Sequence, residues 1–242
     1  MTIHMPHQPR PKNQDLPPLE SGDSLTRPEF ERRYAAAPHI KKAELIEGIV
    51  YVASPLRFTP HAEPHSRLVT WLGTYTAFTP GSLSGIEPTI RLDLDNEPQP
   101  DIVLILTEAA GGQAKLGNDG YLEGVPELVV EIAASTAAID TGSKKKAYCR
   151  NGVLEYIVWQ SFEHRLDWFC LVEGEYQALK VEEDGIIRSQ FFPGLWLAVE
   201  ALLNNEMARV LEVLQLGLGS QSHEEFVLKL TKKIESNRTL IR

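Results

Sequence analysis

Apolar residues recur along the chain in two patterns, short runs that suit strands and wider spacings that suit helices. Runs rich in Val, Ile and Leu predict strands. These segments are KKAELIEGIVYVAS, GIEPTIRLDL, DIVLIL, PELVVEIAAS, VLEYIVW and HRLDWFCLVEGEYQALKV. Helical spacing or capping signals predict helices in TRPEFERRYAAAP, PHAEPHSRLVTWLGTYTAF and DTGSKKKAYCRNG, from Val199 to about Leu216, and at the C-terminus. Strands and helices mix, which predicts the α/β or α+β class around one sheet.

The same pattern divides the chain into three parts. Residues 1–20 are rich in proline and polar side chains, and we expect a disordered tail there. Residues 21–200 contain the predicted strands and form the main domain, and residues 201–242 form a C-terminal helical extension. Within the main domain, the Gly-rich segment TEAAGGQAKLGNDGYLEG is too polar for a core, so we expect a mobile loop.

Composition and cysteine content narrow the class of protein. The 242 residues are 43% hydrophobic and 24% charged, which is typical of a globular protein. No apolar stretch approaches the roughly 18 residues that cross a membrane, and the N-terminus lacks the apolar core of a signal peptide. Cys149 and Cys170 have no metal-ligand spacing, which argues against a zinc ribbon or a disulfide scaffold and favours a reducing cytoplasm.

The formal net charge of −9 argues against a general nucleic-acid coat, because such a protein binds through a basic surface. It does not exclude an enzyme that acts on nucleic acid through one local basic patch. The sequence contains no Gly-rich phosphate loop and no Gly-x-Ser-x-Gly nucleophile elbow. Candidate chemistry must therefore come from other residues.

Two carboxylates stand in unusual apolar surroundings. Asp101 follows a proline and starts the run DIVLIL, and Glu131 interrupts the run ELVVEIAA. Taken alone, Asp101 fits a turn residue at the entry to a strand, and Glu131 could be an exposed residue of an edge strand. Apolar neighbours of both parities around Glu131 instead favour a strand covered on both faces. Two buried carboxylates that converge would repel each other unless both coordinate a cation such as Mg²⁺.

Three consecutive lysines follow the second carboxylate on a predicted helix that Asp140 or Thr141 caps and Gly152 closes. Lys144, Lys145 and Lys146 would point about 100° apart, so they cannot share one environment. Lys144 shares its helix face with Tyr148, four residues later. A lysine beside a bound metal could orient an attacking water or stabilise phosphoryl charge.

The order of these residues resembles the PD-(D/E)XK nuclease superfamily. More narrowly, the chain resembles the Uma-type restriction endonuclease family from about Glu44 to Trp159. The resemblance rests on an ordered set of segments: ELIEG, SP, PH, PD, GVPELVVEIAAST, an Asp, a Lys, a Tyr and NGVLEYIVW. The resemblance implies a restriction-endonuclease-like fold, a mixed central β-sheet flanked by helices. It also implies a metal-dependent endonuclease that hydrolyses DNA phosphodiester bonds.

The resemblance also implies roles for individual residues. Asp101, Glu131 and the main-chain carbonyl of Ile132 would bind Mg²⁺ or Mn²⁺. The usual position of the lysine, two residues after Glu131, is occupied by Ala133, and Lys144 on the next helix corresponds to it instead.

Four further residues are candidates in the same site. Glu44 would be an additional acidic member, with Glu47 as its competitor, because residues of opposite parity face opposite sides of a strand. His65 corresponds to a recurrent family position, although an exposed residue at a helix start would look the same. Gln99 is close in sequence to Asp101, and Tyr148 lies on the face of Lys144.

Two other hypotheses remain open at the level of sequence. The chain could be a catalytically inactive nuclease-fold scaffold or binding protein that acts as a homodimer, which the acidic charge favours. It could also hydrolyse a small phosphorylated substrate with the same site. The set of Asp101, Glu131 and Lys144 favours the endonuclease, because a scaffold has no use for a buried carboxylate pair.

Overall fold

The structure is a computed structural model that describes residues 16–240. The strands are β1 (Ala43–Ile46), β2 (Ile49–Val52), β3 (Ser82–Ile86), β4 (Ile90–Arg91), β5 (Ile102–Leu106), β6 (Lys115–Leu116), β7 (Leu122–Glu123), β8 (Leu128–Ala133), β9 (Glu155–Gln160), β10 (Arg165–Val172), β11 (Glu175–Ala178), β12 (Ile186–Arg188) and β13 (Trp196–Ala198). The α-helices are α1 (Arg27–Ala35), α2 (Glu63–Phe78), α3 (Ala137–Ile139), α4 (Lys145–Asn151), α5 (Val199–Leu203), α6 (Met207–Leu218) and α7 (Gln221–Leu240).

A six-stranded mixed sheet forms the centre, in the order β11-β10-β9-β8-β5-β3. Only β8 and β9 pair in parallel, and the other neighbours are antiparallel. Helices α3 and α4 connect β8 to β9, as a parallel pair requires a crossover. The predicted class, a mixed central sheet flanked by helices, is confirmed.

Both faces of the central strands are covered, which explains why these strands are apolar. The even-numbered residues of β5 and β8, such as Leu104 and Val130, pack against α2 and the C-terminal helices. The odd-numbered residues, such as Val103 and Val129, pack in a second core with Tyr148 of α4 and Tyr156 of β9. All six residues of β8 are buried, so Glu131 lies on a central strand and not on an edge.

Several local features differ from the sequence prediction. The Gly-rich segment after β5 forms a 3₁₀ turn, β6 and β7, and it buries Ala110, Ala114 and Leu122 in the two main cores. Its small apolar residues therefore contribute to the core, contrary to the expectation of a polar loop.

The helix that carries the lysines also begins earlier than predicted. Neither Asp140 nor Thr141 caps it, because α3 starts at Ala137 and a π-helical turn, Asp140–Lys144, joins α3 to α4. The predicted C-terminal end is correct, since Gly152 ends α4 with φ of 87°. This left-handed conformation suits glycine.

The described residues at the two ends of the chain pack onto the rest of the protein. Residues 1–15 of the predicted tail lie outside the described residues, and Leu19 is buried beside Phe30 of α1. At the other end, the helix predicted from Val199 breaks between α5 and α6. Leu202 of α5, Val213 of α6 and Leu230 of α7 belong to the same core as the sheet. Within residues 16–240 no helix has the length and apolar content that a membrane span requires.

Candidate active site

The register of the central sheet brings two carboxylates to adjacent positions. Ile102 of β5 pairs with Val130 of β8 in antiparallel register, and continuing that register by one residue places Asp101 opposite Glu131. The main-chain N–H of Ile132 donates a 2.7 Å hydrogen bond to Asp101 Oδ2, which holds this carboxylate at the end of the ladder. Both carboxylates are only 3% exposed and line the same cavity.

Asp101 is surrounded by groups that keep it charged. His61 Nε2 lies 3.1 Å from Asp101 Oδ1, and Lys42 Nζ lies 3.9 Å from the same oxygen. Burial raises the pKa of Asp101, but the hydrogen bond from His61, the charge of Lys42 and the N–H of Ile132 outweigh burial and lower that pKa below its ordinary value. We infer that Asp101 is ionised at neutral pH.

Glu131 has a different environment on the opposite strand. Lys144 Nζ and Tyr148 Oη both donate to Glu131 Oε1, at 3.1 Å and 2.8 Å. Burial raises the pKa of Glu131 well above its ordinary value, and the positive charge of Lys144 only partly opposes this effect. Two facing carboxylates with pKa values shifted in opposite directions are characteristic of functional sites.

Lys144 is buried at the centre of three carboxylates. Its Nζ lies 2.9 Å from Glu44 Oε1, 3.1 Å from Glu131 Oε1 and 3.5 Å from Asp140 Oδ1. Burial lowers the pKa of Lys144, but the three negative neighbours outweigh burial and raise that pKa well above its ordinary value. Lys145, by contrast, lies over the ring of Phe169, and Lys146 is exposed.

Glu44 enters the same cavity from the β1–β2 hairpin. Its Oε1 accepts the Lys144 contact and a 2.7 Å hydrogen bond from the main-chain N–H of Gln99. The side-chain amide of Gln99 bonds instead to Thr89, so Gln99 supports the site through its backbone. Glu47 lies in the hairpin turn, where it pairs with Arg150, and it does not line the cavity.

His65 lies behind Asp101. Its Nε2 is 3.1 Å from the main-chain oxygen of Asp101, and the residue is not among those lining the cavity. The neighbouring imidazole of His61, one helical turn earlier, makes the side-chain contact with Asp101. The segment PHAEPH offers both histidines at the same i, i+4 spacing, and only the contacts distinguish them.

Three site residues were not predicted as such: Lys42, His61 and Asp140. Lys42 sits immediately before β1, and alternation along KKAEL places it on the face of Glu44. Asp140 is 1% exposed and accepts a 2.6 Å hydrogen bond from Thr136, while burial raises its pKa. The i, i+4 spacing of Asp140 and Lys144 was a readable signal for this contact.

These residues line a cavity of about 510 Å³. Four carboxyl groups and two lysines make up its charged floor, with Arg57 exposed at the rim: Glu44, Asp101, Glu131, Asp140, Lys42 and Lys144. Four negative charges against two positive charges leave a formal excess of two negative charges in the floor. A divalent cation would neutralise this excess.

The oxygen atoms that could hold such a cation are limited to a small set. Within residues 16–240, no group of three or more His, Cys, Asp or Glu side chains has the arrangement of a preformed metal site. Asp101 and Glu131 could supply two carboxylates, since both hydrogen bonds of Glu131 go to Oε1 and leave Oε2 without one. The carbonyl of Ile132 faces the same side as its N–H, toward Asp101. Mg²⁺ is commonly bound by one or two carboxylates plus waters and substrate oxygens, so this donor set fits it.

Comparison with known sequences identifies the family. The model of the Uma2 family, described as "Putative restriction endonuclease", matches residues 27–200. The chain belongs to the Uma2 family. The match confirms the resemblance seen in the sequence, and within this Uma2 chain it covers α1, the whole central sheet and the residues of the cavity. No curated protein matches the Uma2 chain.

A solved structure similar to this Uma2 chain is the crystal structure of a putative nuclease belonging to DUF820 from Anabaena variabilis ATCC 29413. The two chains share 14% sequence identity with a TM-score of 0.50, over 67% of the Uma2 chain and 89% of the other. This degree of similarity shows the fold alone.

Proposed function

We propose that this Uma2-family protein is a metal-dependent endonuclease that hydrolyses phosphodiester bonds in DNA. The observation that carries the proposal is the pairing of Asp101 and Glu131 across β5 and β8, with buried Lys144 in contact with Glu131. Burying carboxylates is costly unless hydrogen bonds or opposite charges compensate them, and this cavity floor gathers four of them. Family membership supports the same class of reaction.

In the proposed site, Asp101, Glu131 and the carbonyl of Ile132 would hold Mg²⁺ or Mn²⁺. A divalent cation in such a site lowers the pKa of a bound water and neutralises charge on a phosphoryl group. The protein residues prepare the donors, because His61 and Lys42 hold Asp101 in its ionised form.

Lys144 would act directly on the reacting groups. Its ammonium group has three donors, and it can hydrogen-bond to the attacking water or to a non-bridging phosphate oxygen. Glu44 and Asp140 hold Nζ at the cavity wall and keep it protonated, so Lys144 acts as an orienting and charge-stabilising group and not as a base.

A plasmid-nicking assay tests the chemistry. We expect the wild type to convert supercoiled plasmid to nicked or linear DNA with Mg²⁺ or Mn²⁺, and to lose this activity in EDTA. Lys144→Ala should reduce the rate by at least about 100-fold, as expected for loss of a group that stabilises transition-state charge. The matched control is Lys146→Ala, which removes the same charge from an exposed position. Equal activity in the two variants would contradict the assignment of Lys144.

Metal binding is tested separately by thermal unfolding. We expect millimolar Mg²⁺ or Mn²⁺ to raise the Tm of the wild type, because a ligand that binds only the folded state stabilises it. Neither Asp101→Ala nor Glu131→Ala should respond. The absence of any shift in the wild type would remove the metal site from the proposal, whatever the nicking assay shows.

The alternative, an inactive nuclease-fold scaffold that acts as a homodimer, has one observation in its favour. Strand β3 forms an edge of the central sheet, it carries no charged residue, and its Leu83 and Ile86 are more than half exposed. Uncharged edge strands can pair with another chain. Analytical ultracentrifugation of the wild type and Leu83→Lys tests whether β3 mediates a homodimer.

The proposed compartment is the cytoplasm, where DNA and Mg²⁺ are both available. Cys149 and Cys170 are free thiols, which supports a reducing environment. Mass spectrometry of the protein isolated under alkylating conditions tests this, and we expect both thiols to be modified by the alkylating reagent.

A further inference from the structure

The mouth of the cavity differs chemically from its floor. Leu56 and Phe162 both line the cavity, yet they are 55% and 64% exposed. They come from different parts of the chain, Leu56 from the segment between β2 and α2 and Phe162 from the turn between β9 and β10. Pro55 and Pro60 add further apolar lining, and every charged lining residue except Arg57 is buried or half-buried. Leu56, Phe162, Pro55 and Pro60 form what we call the apolar collar, and they line the same cavity as the charged floor.

The collar is not required by the fold. Phe162 lies in a four-residue turn with most of its ring in solvent, where a polar residue would cost the protein nothing. Exposed aromatic side chains at the entrance of a site bind planar apolar groups, and base stacking on such a ring contributes about 1–3 kcal/mol per base. The collar thus suits a ligand that presents a nucleobase face.

A duplex does not present that face. In double-stranded DNA the base faces are stacked inside the helix, and proteins contact phosphates and groove edges. Duplex binding draws most of its affinity from a basic surface, whereas this chain has a formal net charge of −9. An unpaired strand exposes its bases, so stacking on an aromatic ring adds to the binding energy that its phosphate contacts supply.

Two cations are placed to contact the backbone of such a strand. Arg57 lies at the rim beside Leu56, and Lys42 lies between the rim and Asp101 with its side chain 21% exposed. Both side chains line the same cavity as Phe162 and the charged floor, so we expect them to contact the phosphates that adjoin a base on Phe162. In this arrangement the apolar collar would bind the base, the cations near the rim would contact the flanking phosphate, and the charged floor would face the scissile phosphate.

We propose that the substrate is single-stranded DNA, or an unpaired stretch of DNA, and that Phe162 and Leu56 bind an unpaired base next to the scissile phosphate. This inference rests on the proposed function, because it assigns a substrate class to the same cavity. Phe162 is a specificity-determining residue, and it takes no part in the chemical step.

Binding is measured first with Ca²⁺ in place of Mg²⁺, so that a divalent cation can neutralise the cavity floor, and gel analysis confirms that the probes stay intact. The probes are a short fluorescein-labelled oligothymidine and the same strand annealed to oligodeoxyadenosine, and fluorescence anisotropy measures their binding. Phe162→Ala should weaken oligothymidine binding at least about five-fold, the lower end of the stacking range, and leave duplex binding unchanged. The matched control is Phe78→Ala, which removes another phenylalanine that is more than half exposed, lies outside the cavity and should change neither affinity.

Each of three binding results would overturn the inference. These are tighter binding of the duplex than of the single strand, no binding of either probe, and equal affinities of Phe162→Ala and Phe78→Ala for oligothymidine. Dimerisation of the wild type that Phe162→Ala abolishes would show a second copy at the collar and would also overturn it. Cleavage of both probes in Mg²⁺ is then compared. Phe162-dependent binding without any cleavage would contradict the proposed nuclease and support the ligand class, so the two failures are distinguishable.

Discussion

Replacing Lys144 by methionine removes the cation at the centre of the site while keeping a side chain of similar length. Glu44, Glu131 and Asp140 would lose a partner at 2.9, 3.1 and 3.5 Å respectively. Breaking a buried ion pair costs about 3–5 kcal/mol, because the remaining charge is left without compensation. Each carboxylate keeps one other hydrogen bond. Glu44 accepts from Gln99, Asp140 accepts from Thr136, and Glu131 accepts from Tyr148. We therefore expect about 3 kcal/mol of lost unfolding free energy at pH 8.

The loss should depend on pH in a defined direction. Burial already raises the pKa of Glu131 and of Asp140, and removing Lys144 raises both further. The folded variant then holds more protons than the unfolded chain above about pH 4, so its stability falls as pH rises. At pH 5 the carboxyl groups of Glu131 and Asp140 can be protonated in the variant, so its unfolding free energy should lie closer to that of the wild type than at pH 8.

Urea unfolding followed by circular dichroism at pH 5 and pH 8 measures both effects. Lys146→Met is the matched control and should stay within about 0.5 kcal/mol of the wild type at either pH, because Lys146 is exposed. If Lys144→Met were no less stable than Lys146→Met, the buried charge cluster would not exist in solution. A large loss that is independent of pH would show that packing, and not charge, is responsible.

Three further predictions concern stability elsewhere in the fold. Burial and a neighbouring carboxyl group raise the pKa of Glu97 to about 8. The unfolding free energy should therefore decrease as pH rises from about 4.5 to 8, and Glu97→Gln should flatten this profile. An unchanged profile in the variant would refute the assignment. Glu155 is fully buried and accepts hydrogen bonds from four donors. Glu155→Ala should therefore lower the unfolding free energy measured in urea by at least about 4 kcal/mol. A decrease below about 1 kcal/mol would be inconsistent with those hydrogen bonds. A Cβ at Gly217 of α6 would collide with the main-chain oxygen of Gly194, so Gly217→Ala should lower the Tm measurably, while an unchanged Tm would mean that this helix can move away.

The strands could be predicted because their surroundings are uniform. DIVLIL and ELVVEIAAS are apolar at both parities, which a strand covered on both faces requires, and they became β5 and β8 at the centre of the sheet. Against that background a carboxylate is conspicuous, and Asp101 and Glu131 were singled out for this reason. Their roles as metal ligands stay a prediction.

Other parts of the site have no such signature. His61 and His65 occupy equivalent places in PHAEPH, yet His61 lies in the π-helical turn Phe58–Ala62 and contacts the Asp101 side chain, whereas His65 contacts the Asp101 main chain. Asp140 looks like a helix cap in sequence, but a second π-helical turn moves the helix start upstream and leaves Asp140 inside it. Local helix propensity does not encode either difference.

The most direct test of the proposed metal site is a crystal structure of the wild type soaked in Mn²⁺, with anomalous diffraction to locate the ion. We predict an anomalous peak in the cavity, with oxygen atoms of Asp101 and Glu131 and the carbonyl oxygen of Ile132 among its ligands. Ordered Mn²⁺ elsewhere in the crystal and none between Asp101 and Glu131 would contradict the proposed endonuclease site.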